Sequence, residues 1–567
     1  MEDLQKQNNN CSPLEQELAT KAGELAAKRM MLEQQMVDIT LGQIAEGVMS
    51  KAAEVMELMS NKNPLMQAVR QVVVKEVMRS AEGRLWCREY EQRAKAEQRM
   101  IVYTGSHWQP VLPQQWKDFV SKCATRCGLN ESMTMNHSFM NALFEGVAYN
   151  LAEHRQRLTP PGEAWLNMKN GTLIVSSDGS VRLRPHRKED LFTYTLDYCY
   201  DSEARCDQWH IFLDRVLAEP EAQKVLAEFI GYCLMPSHSL EKLLLLYGEG
   251  LNGKSVTLEV IEALLGTVNV SYLSLSDLTN DEVKRAGIVG KLLNISHESG
   301  RDVNPNVLKQ LTSGEPVLVK NLYHDPRETS DYGKFAAAFN QLPRAENSFG
   351  FFRRLIILPY LVTIPAEEID RQLAQKLKAE LPGILNWVLS ALPGLMQRGD
   401  FTRSESCEKA LDHYRLMSDS VRLFLNEKCE PQEYSTPAAD INKAYREFCF
   451  SSSLKPLGRT RFYERLESLT HSRVDYQGNL YFKLRLLDPD KSGNNAMKKE
   501  VNAWRYLENW LNKAKGNYTD INNSNNGTEQ SIFTTRQERE QTKRLNDAAE
   551  AIRDALNTPA DYFGPEE

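Results

Sequence analysis

Gly248-Glu249-Gly250-Leu251-Asn252-Gly253-Lys254-Ser255 follows directly on the apolar run Leu243-Leu244-Leu245-Leu246, and Val256 opens a helical pattern behind it. The stretch fits G-x-x-x-x-G-K-[ST]. Glycines at those positions let the backbone curl so that successive N–H groups face phosphate oxygens. Lys254 is placed to reach β and γ phosphates, and the Ser255 hydroxyl to ligate Mg²⁺. A helix starting near Lys254 directs its positive end at the same phosphates. Apolar strand before and amphipathic helix after are the context this loop needs. It predicts a nucleoside triphosphate, with ATP and Mg²⁺ as ligands, but not what is done with them.

Three further runs supply partners for that chemistry. "GKLLNISHES" (290–299) is strand-like and ends at Glu298, a carboxylate of the kind that Mg²⁺ and an attacking water require. "KFAAAFNQLP" (334–343) ends in Asn340, whose amide could orient water against a γ-phosphate. "GFFRRLIILPY" (350–360) sets Arg353 and Arg354 just ahead of an apolar run, and a guanidinium there can stabilise a phosphoryl group in transfer. Adjacent strand residues face opposite ways, so one of the two is expected to act, Arg354 being the first choice. Taken singly, each has a plain alternative: a surface Glu after a buried strand, a turn-forming Asn before Pro343, and a basic strand edge.

The elements that must position these residues are legible in outline. The chain has 567 residues, 41% hydrophobic and 26% charged, which predicts a soluble multidomain protein. No stretch approaches the roughly 18–20 apolar residues of a membrane helix. MEDLQKQNNN lacks the apolar centre of a secretory signal. Cysteines are scattered; Cys123 and Cys127 could share a helix face, but no second pair completes a zinc site, and reduced cytosolic thiols are the plain reading. The net charge of −7 excludes a protein coated in basic surface, while leaving room for a basic patch or lined channel.

The reading of the domains is multidomain α plus α/β. Residues 1–100 are rich in Ala, Glu, Gln, Lys and Met and read as a helical oligomerisation region. Residues 101–235 read as helix with a small hairpin unit punctuated by Asn170-Gly171 and Asp178-Gly179. Residues 236–365 alternate apolar runs with helices and form the P-loop core. Residues 366–430 read as a helical lid or connector. Residues 431–487 read as helix, helix and a hairpin around Gln477-Gly478-Asn479, the order of a winged helix. Residues 488–567 read as a polar, partly disordered tail.

Together the loop, the acidic strand end, "LKQLTSGEPVLVKNLYHDP" (308–326), the Asn-tipped strand and the Arg pair resemble helicase superfamily 3. More narrowly, the chain resembles the phage and plasmid primase-helicase family related to the poxvirus primase-helicase, over about 165–430. The resemblance implies an AAA+-like core in a ring, usually a hexamer, with ATP between neighbouring subunits. Residues 248–256 would bind nucleotide, Ser255 and Glu298 would hold Mg²⁺, and Arg353 or Arg354 would come from the next subunit. A hairpin within 308–326 would enter the central pore, with Lys320 and His324 on DNA phosphate. The expected activity is 3′–5′ unwinding of single-stranded or forked DNA during replication of a mobile element. The expected location is the cytoplasm of a bacterial host, away from membrane, and replication-initiation or primase proteins are candidate partners.

Two departures stand out. His297 precedes Glu298 where many relatives carry two acidic residues. Residues 1–160 show neither clustered strand carboxylates nor paired cysteines, so priming is not expected. Other readings of the same loop are a P-loop remodeller or switch without unwinding, as in anti-phage defence, an ATP-assembled origin-binding platform, and a small-molecule kinase. The 308–326 segment and the Arg pair speak against the kinase.

Overall fold

The structure, a computed structural model, describes residues 13–60, 66–88, 100–153, 155, 159–297, 303–320, 326–340, 342, 349–452 and 454–487. Its amino-terminal part begins with α1 (Pro13–Glu46), α2 (Ala52–Ser60) and α3 (Met66–Ala81). Then it departs from the helical expectation. Strands β1 (Leu85–Arg88), β2 (Met100–Tyr103) and β3 (Trp108–Pro110) precede α4 (Pro113–Arg126), α5 (Glu131–Thr134), α6 (His137–Leu151) and β4 (Ala152–Glu153). These strands make one sheet in the order β3-β2-β1-β4. Alternation along β1 and β2 explains why it forms. Leu85, Cys87, Met100 and Val102 face the core shared with α1–α6, while Trp86 and Ile101 pack with Trp108 on the other side.

The small hairpin unit is a three-stranded meander: β5 (Glu163–Met168), β6 (Gly171–Ser176) and β7 (Val181–Arg184), turning at the two expected Gly positions. Helices α7 (Asp207–Val216) and α8 (Pro220–Leu234) lead to β8 (Leu243–Tyr247). There follow α9 (Lys254–Leu265), β9 (Val270–Ser271), α10 (Leu275–Asn280), α11 (Glu282–Arg285), β10 (Leu293–His297) and α12 (Pro305–Ser313). A two-stranded hairpin, β11 (Val317–Val319) and β12 (Arg327–Thr329), precedes β13 (Lys334–Phe339), α13 (Phe349–Phe352) and β14 (Leu355–Pro359).

The central sheet is parallel, in the order β14-β8-β13-β10-β9. Its middle strands are apolar on both faces because helices cover both, which is the rule for parallel sheets. Leu243 to Leu246 are all buried, and each such side chain contributes about 1.5–3 kcal/mol. One core joins this sheet to the β5–β7 meander, to α7 and α8, and to α15 (Leu381–Arg398), which follows α14 (Leu373–Lys378). Carboxylates fasten the helices to it: Glu380 accepts N–H groups of Gln208 and Trp209 at the start of α7. Beyond lie α16 (Glu405–Ser418), α17 (Ser420–Lys428), β15 (Cys429–Pro437), α18 (Ala438–Ser451), α19 (Arg459–Thr470), β16 (Arg473–Tyr476) and β17 (Asn479–Leu486). Residues 421–484 close a separate core around Phe424, Tyr445, Phe462 and Phe482. The tail 488–567 lies outside the described residues. No described helix is long and apolar enough to cross a membrane.

Candidate functional site

The loop 248–253 sits at the carboxyl end of β8, between the ends of β13 and β14. Ligand crevices in open parallel sheets form at such ends. Its shape follows from its glycines. Gly250 and Gly253 have φ of 84° and 89°, and Leu251 between them is drawn to 48°. At Gly248 a Cβ would stand 2.1 Å from the Tyr360 carbonyl oxygen, so only glycine lets the chain after β14 pass this close. That chain is bonded down: Tyr360 N–H donates to Tyr247 O (2.6 Å) and Ile364 N–H to Leu251 O (2.8 Å). Asn252, buried, donates through Nδ2 to Tyr360 O (3.1 Å).

Helix α9 starts at Lys254 with no side chain capping its first turn, so its amino end faces the loop with backbone donors. Lys254 itself is buried. Its Nζ donates to Gly248 O (2.6 Å), Asn252 Oδ1 (3.0 Å) and Asn340 Oδ1 (3.2 Å). Those three acceptors are neutral oxygens, and they orient the ammonium at the loop. Asn340 reaches it from the end of β13, the strand beside β8. The structure thus brings together Lys254, Asn252 and Asn340, although Lys254 and Asn340 are 86 positions apart in sequence. Ser255 is exposed at the mouth of the loop, as are Glu249, Gly250 and Leu251. Val256 is half-buried and packs against the main core.

Glu298 lies outside the described residues. Its neighbour His297 ends β10, in register with Ala338 of β13, at the same edge of the sheet as the loop. Desolvation of the His297 ring lowers its pKa, with the Glu262 carboxylate opposing the shift. The shift favours the neutral imidazole, which can accept or donate a hydrogen bond.

Arg353 and Arg354 are not at this end. They precede β14, which runs in register with β8 from Leu355↔Leu243 to Pro359↔Tyr247. The strand of five residues therefore separates them from the loop by roughly 16 Å.

Lys320 follows β11, half-buried, with its N–H donating to Glu282 O (2.9 Å). His324 lies outside the described residues. Across the hairpin Arg327 faces Val319 and is exposed. The hairpin is seated by Arg285. This buried guanidinium donates to Leu318 O (2.7 Å) on β11 and to Leu278 O and Thr279 O on α10. Arg285 and Arg327 are not among the residues that the sequence singles out. A hairpin with its tip between 320 and 324 returns through Arg327, whereas Arg285 acts across the fold and carries no local pattern.

Comparison with known proteins gives the following. Residues 83–218 match the family model "D5 N terminal like", and residues 246–354 match "Family of unknown function (DUF5906)". The second span includes both the loop and the Arg pair. A protein of Acanthamoeba polyphaga mimivirus named "Putative helicase L207/L206" is 24% identical over 160 residues, covering 26% of this chain. The chain spans 17% of that protein's length. Among solved structures, an apo form of the NrS-1 C-terminal region is 10% identical with a TM-score of 0.43, covering 73% of this chain and 98% of that one. A shorter NrS-1 C-terminal structure (305–718) is 8% identical with a TM-score of 0.32, covering 56% and 94%.

Proposed function

We propose that the chain is an ATP-dependent DNA helicase of the superfamily 3 kind, acting as a ring in the replication of a phage, plasmid or satellite element. The observation that carries this reading is the Lys254 ammonium held by neutral oxygens of the loop and of Asn340, at the strand ends of a parallel sheet. The matches to a D5-type model and to a mimivirus helicase agree with it.

In this reading the first-turn N–H groups of α9 and the Lys254 ammonium bind the β and γ phosphates. Asn340 orients the water that attacks. Ser255 and Glu298 are the residues that would hold Mg²⁺, which neutralises phosphate charge when bound. The loop fits such a group: its glycines add no Cβ to the turn and Ser255 opens outward. An arginine side chain cannot bridge the length of β14, which supports the reading that the Arg pair serves a neighbouring copy's nucleotide in an oligomer. The hairpin of β11 and β12 carries Lys320 and Arg327 toward DNA phosphate, with His324, which the sequence suggests, as a third phosphate contact, a grip indifferent to base sequence. Residues 431–487, in the order strand, helix, helix, hairpin, act as a winged helix on duplex at the fork.

The test is strand displacement on forked DNA with ATP. The wild type is expected to unwind it, with 3′–5′ polarity, and Lys254→Ala to lose both unwinding and at least a hundredfold of ATPase. Robust ATPase without unwinding of any fork would sink the helicase reading in favour of a remodeller. DNA binding without turnover would favour a loading platform.

A further inference from the structure

Two arginines stand side by side before β14, and the fold treats them differently. Arg354 is turned inward: 13% of its side chain is exposed, against 44% for Arg353. Its Nη1 donates to Gly350 O (2.6 Å), and its Nη2 (2.8 Å) and Nε (3.3 Å) to Ser313 Oγ. Ser313 is the last residue of α12 and stands at the foot of the β11–β12 hairpin. Among the described residues Arg353 has one side-chain partner, the carboxylate of Glu241, and Arg354 shares that same oxygen at 3.2 Å.

Glu241 belongs to a strap leading into β8 that reaches both of these features. Glu241 itself sits in the left-handed region at φ 49°, a conformation a glutamate adopts only when its surroundings hold it there. Three residues earlier, the His238 ring bonds to Gly333 O (3.0 Å) and lies so close over Gly314 that a Cβ there would meet its own at 2.6 Å. Directly after Glu241, Lys242 donates through Nζ to Arg353 O (2.8 Å). One short segment therefore touches both the hairpin's foot and the Arg pair.

We propose that Glu241 is a latch for Arg353: it holds this exposed guanidinium in a free subunit and yields it to the nucleotide of a neighbouring copy, while Arg354 remains as a strut between the latch and the hairpin. This rests on the shared-site reading above. The chemistry favours the division of labour. The pair is open only on the Arg353 side: the Glu241 oxygen is buried and meets the guanidinium by an ion-pair contact without a hydrogen bond, so phosphate oxygens that offer well-aligned acceptors can replace it. A half-enclosed guanidinium with three acceptors is costly to withdraw. When Arg353 leaves, Glu241 keeps Arg354, so no carboxylate is stranded. That is a physical reason for two adjacent arginines where one finger would serve. It also assigns the finger to Arg353, where sequence reasoning put Arg354 first.

The test is steady-state ATPase of purified full-length variants, alone and mixed. Arg353→Ala is expected to lower kcat at least a hundredfold with KM and melting temperature unchanged, and to be rescued by mixing with Lys254→Ala subunits. Arg354→Ala is expected to melt roughly 2–4 °C lower and to gain nothing from that mixture. Glu241→Gln is expected to raise DNA-free ATPase about threefold or more, a rise that Arg353→Ala abolishes in the double variant. If wild type turns over ATP but Arg353→Ala keeps kcat within threefold, or Glu241→Gln slows hydrolysis, the latch is wrong while the ATPase reading stands. A wild type with no ATPase, with or without DNA, overturns both.

Discussion

At Gly248 one hydrogen atom decides whether the loop can close. The Tyr360 carbonyl oxygen lies 2.1 Å from where a Cβ would be, and Asn252 Nδ2 lies 2.4 Å away. Both neighbours are fixed, the first by the β14 exit and the second by its bonds to Tyr360 O and Lys254. Gly248→Ala must therefore push backbone rather than a flexible side chain, at a cost of about 1–3 kcal/mol. A lowered melting temperature together with at least tenfold weaker binding of a fluorescent ATP analogue is the expected result; native affinity would show that the loop does not need this close approach. Lys254 and Asn340 were readable from sequence because loop spacing and strand-end position are local properties. Glu241 was not: its partners Arg353 and Arg354 stand more than a hundred residues away, and a Glu-Lys pair before a strand looks like any solvated edge.

Strands show the same division between local and distant causes. The central strands were legible as apolar runs such as Leu243–Leu246 and Ala336–Ala338. The amino-terminal sheet was not, because strands of three or four residues are too short to display a period. Order in space was not legible either, since which parallel strands adjoin is set by crossovers. Lys334 is the sharpest misfit at this scale. It opens β13 fully buried, donating to Met235 O (2.7 Å) with its ammonium 4.7 Å above the Tyr232 ring. Desolvation drives its pKa from 10.5 down to about 7. Between those values the unfolded chain holds a proton that the folded chain has released, so stability rises with pH, by up to about 1.4 kcal/mol per pH unit. Above about pH 9 the buried Cys233 thiol, pushed up to about 12, opposes the trend, because the unfolded thiol has lost a proton that the folded one keeps. His238, lowered to about 4 by burial first and by Lys334 second, acts only below its ordinary 6.5. The clean window is about pH 7 to 8.5. There the melting temperature of wild type is expected to climb relative to Lys334→Met; parallel curves would mean the amine stays charged in the fold.

At the scale of the whole molecule the question is how separately folded parts act on one substrate. Residues 421–484 close their own core, with Tyr445 and Phe462 stacked at 4.2 Å. Arg465 ties this unit to its amino-terminal approach by donating to the buried Asp419 (2.6 and 2.9 Å), which also caps α17. Such anchoring leaves the opposite end of α19 outward, and there Arg459 and Arg461 are exposed, with Lys443, Arg446 and Lys455 exposed nearby in the sequence. The helix-then-hairpin order was legible because Gln477-Gly478 marks a tight turn; what the unit touches was not, because exposed cations solvate equally well in a packing domain. Salt dependence separates the two. Every cation that neutralises a phosphate adds about 0.9 to the slope of log K against log salt on duplex DNA. Arg459→Ala with Arg461→Ala is therefore expected to reduce that slope by roughly 2 on forked DNA, to weaken binding similarly for unrelated sequences, and to leave DNA-free ATPase as it was. An unchanged slope would mean that these cations never face phosphate, and that fork engagement falls to the hairpin alone.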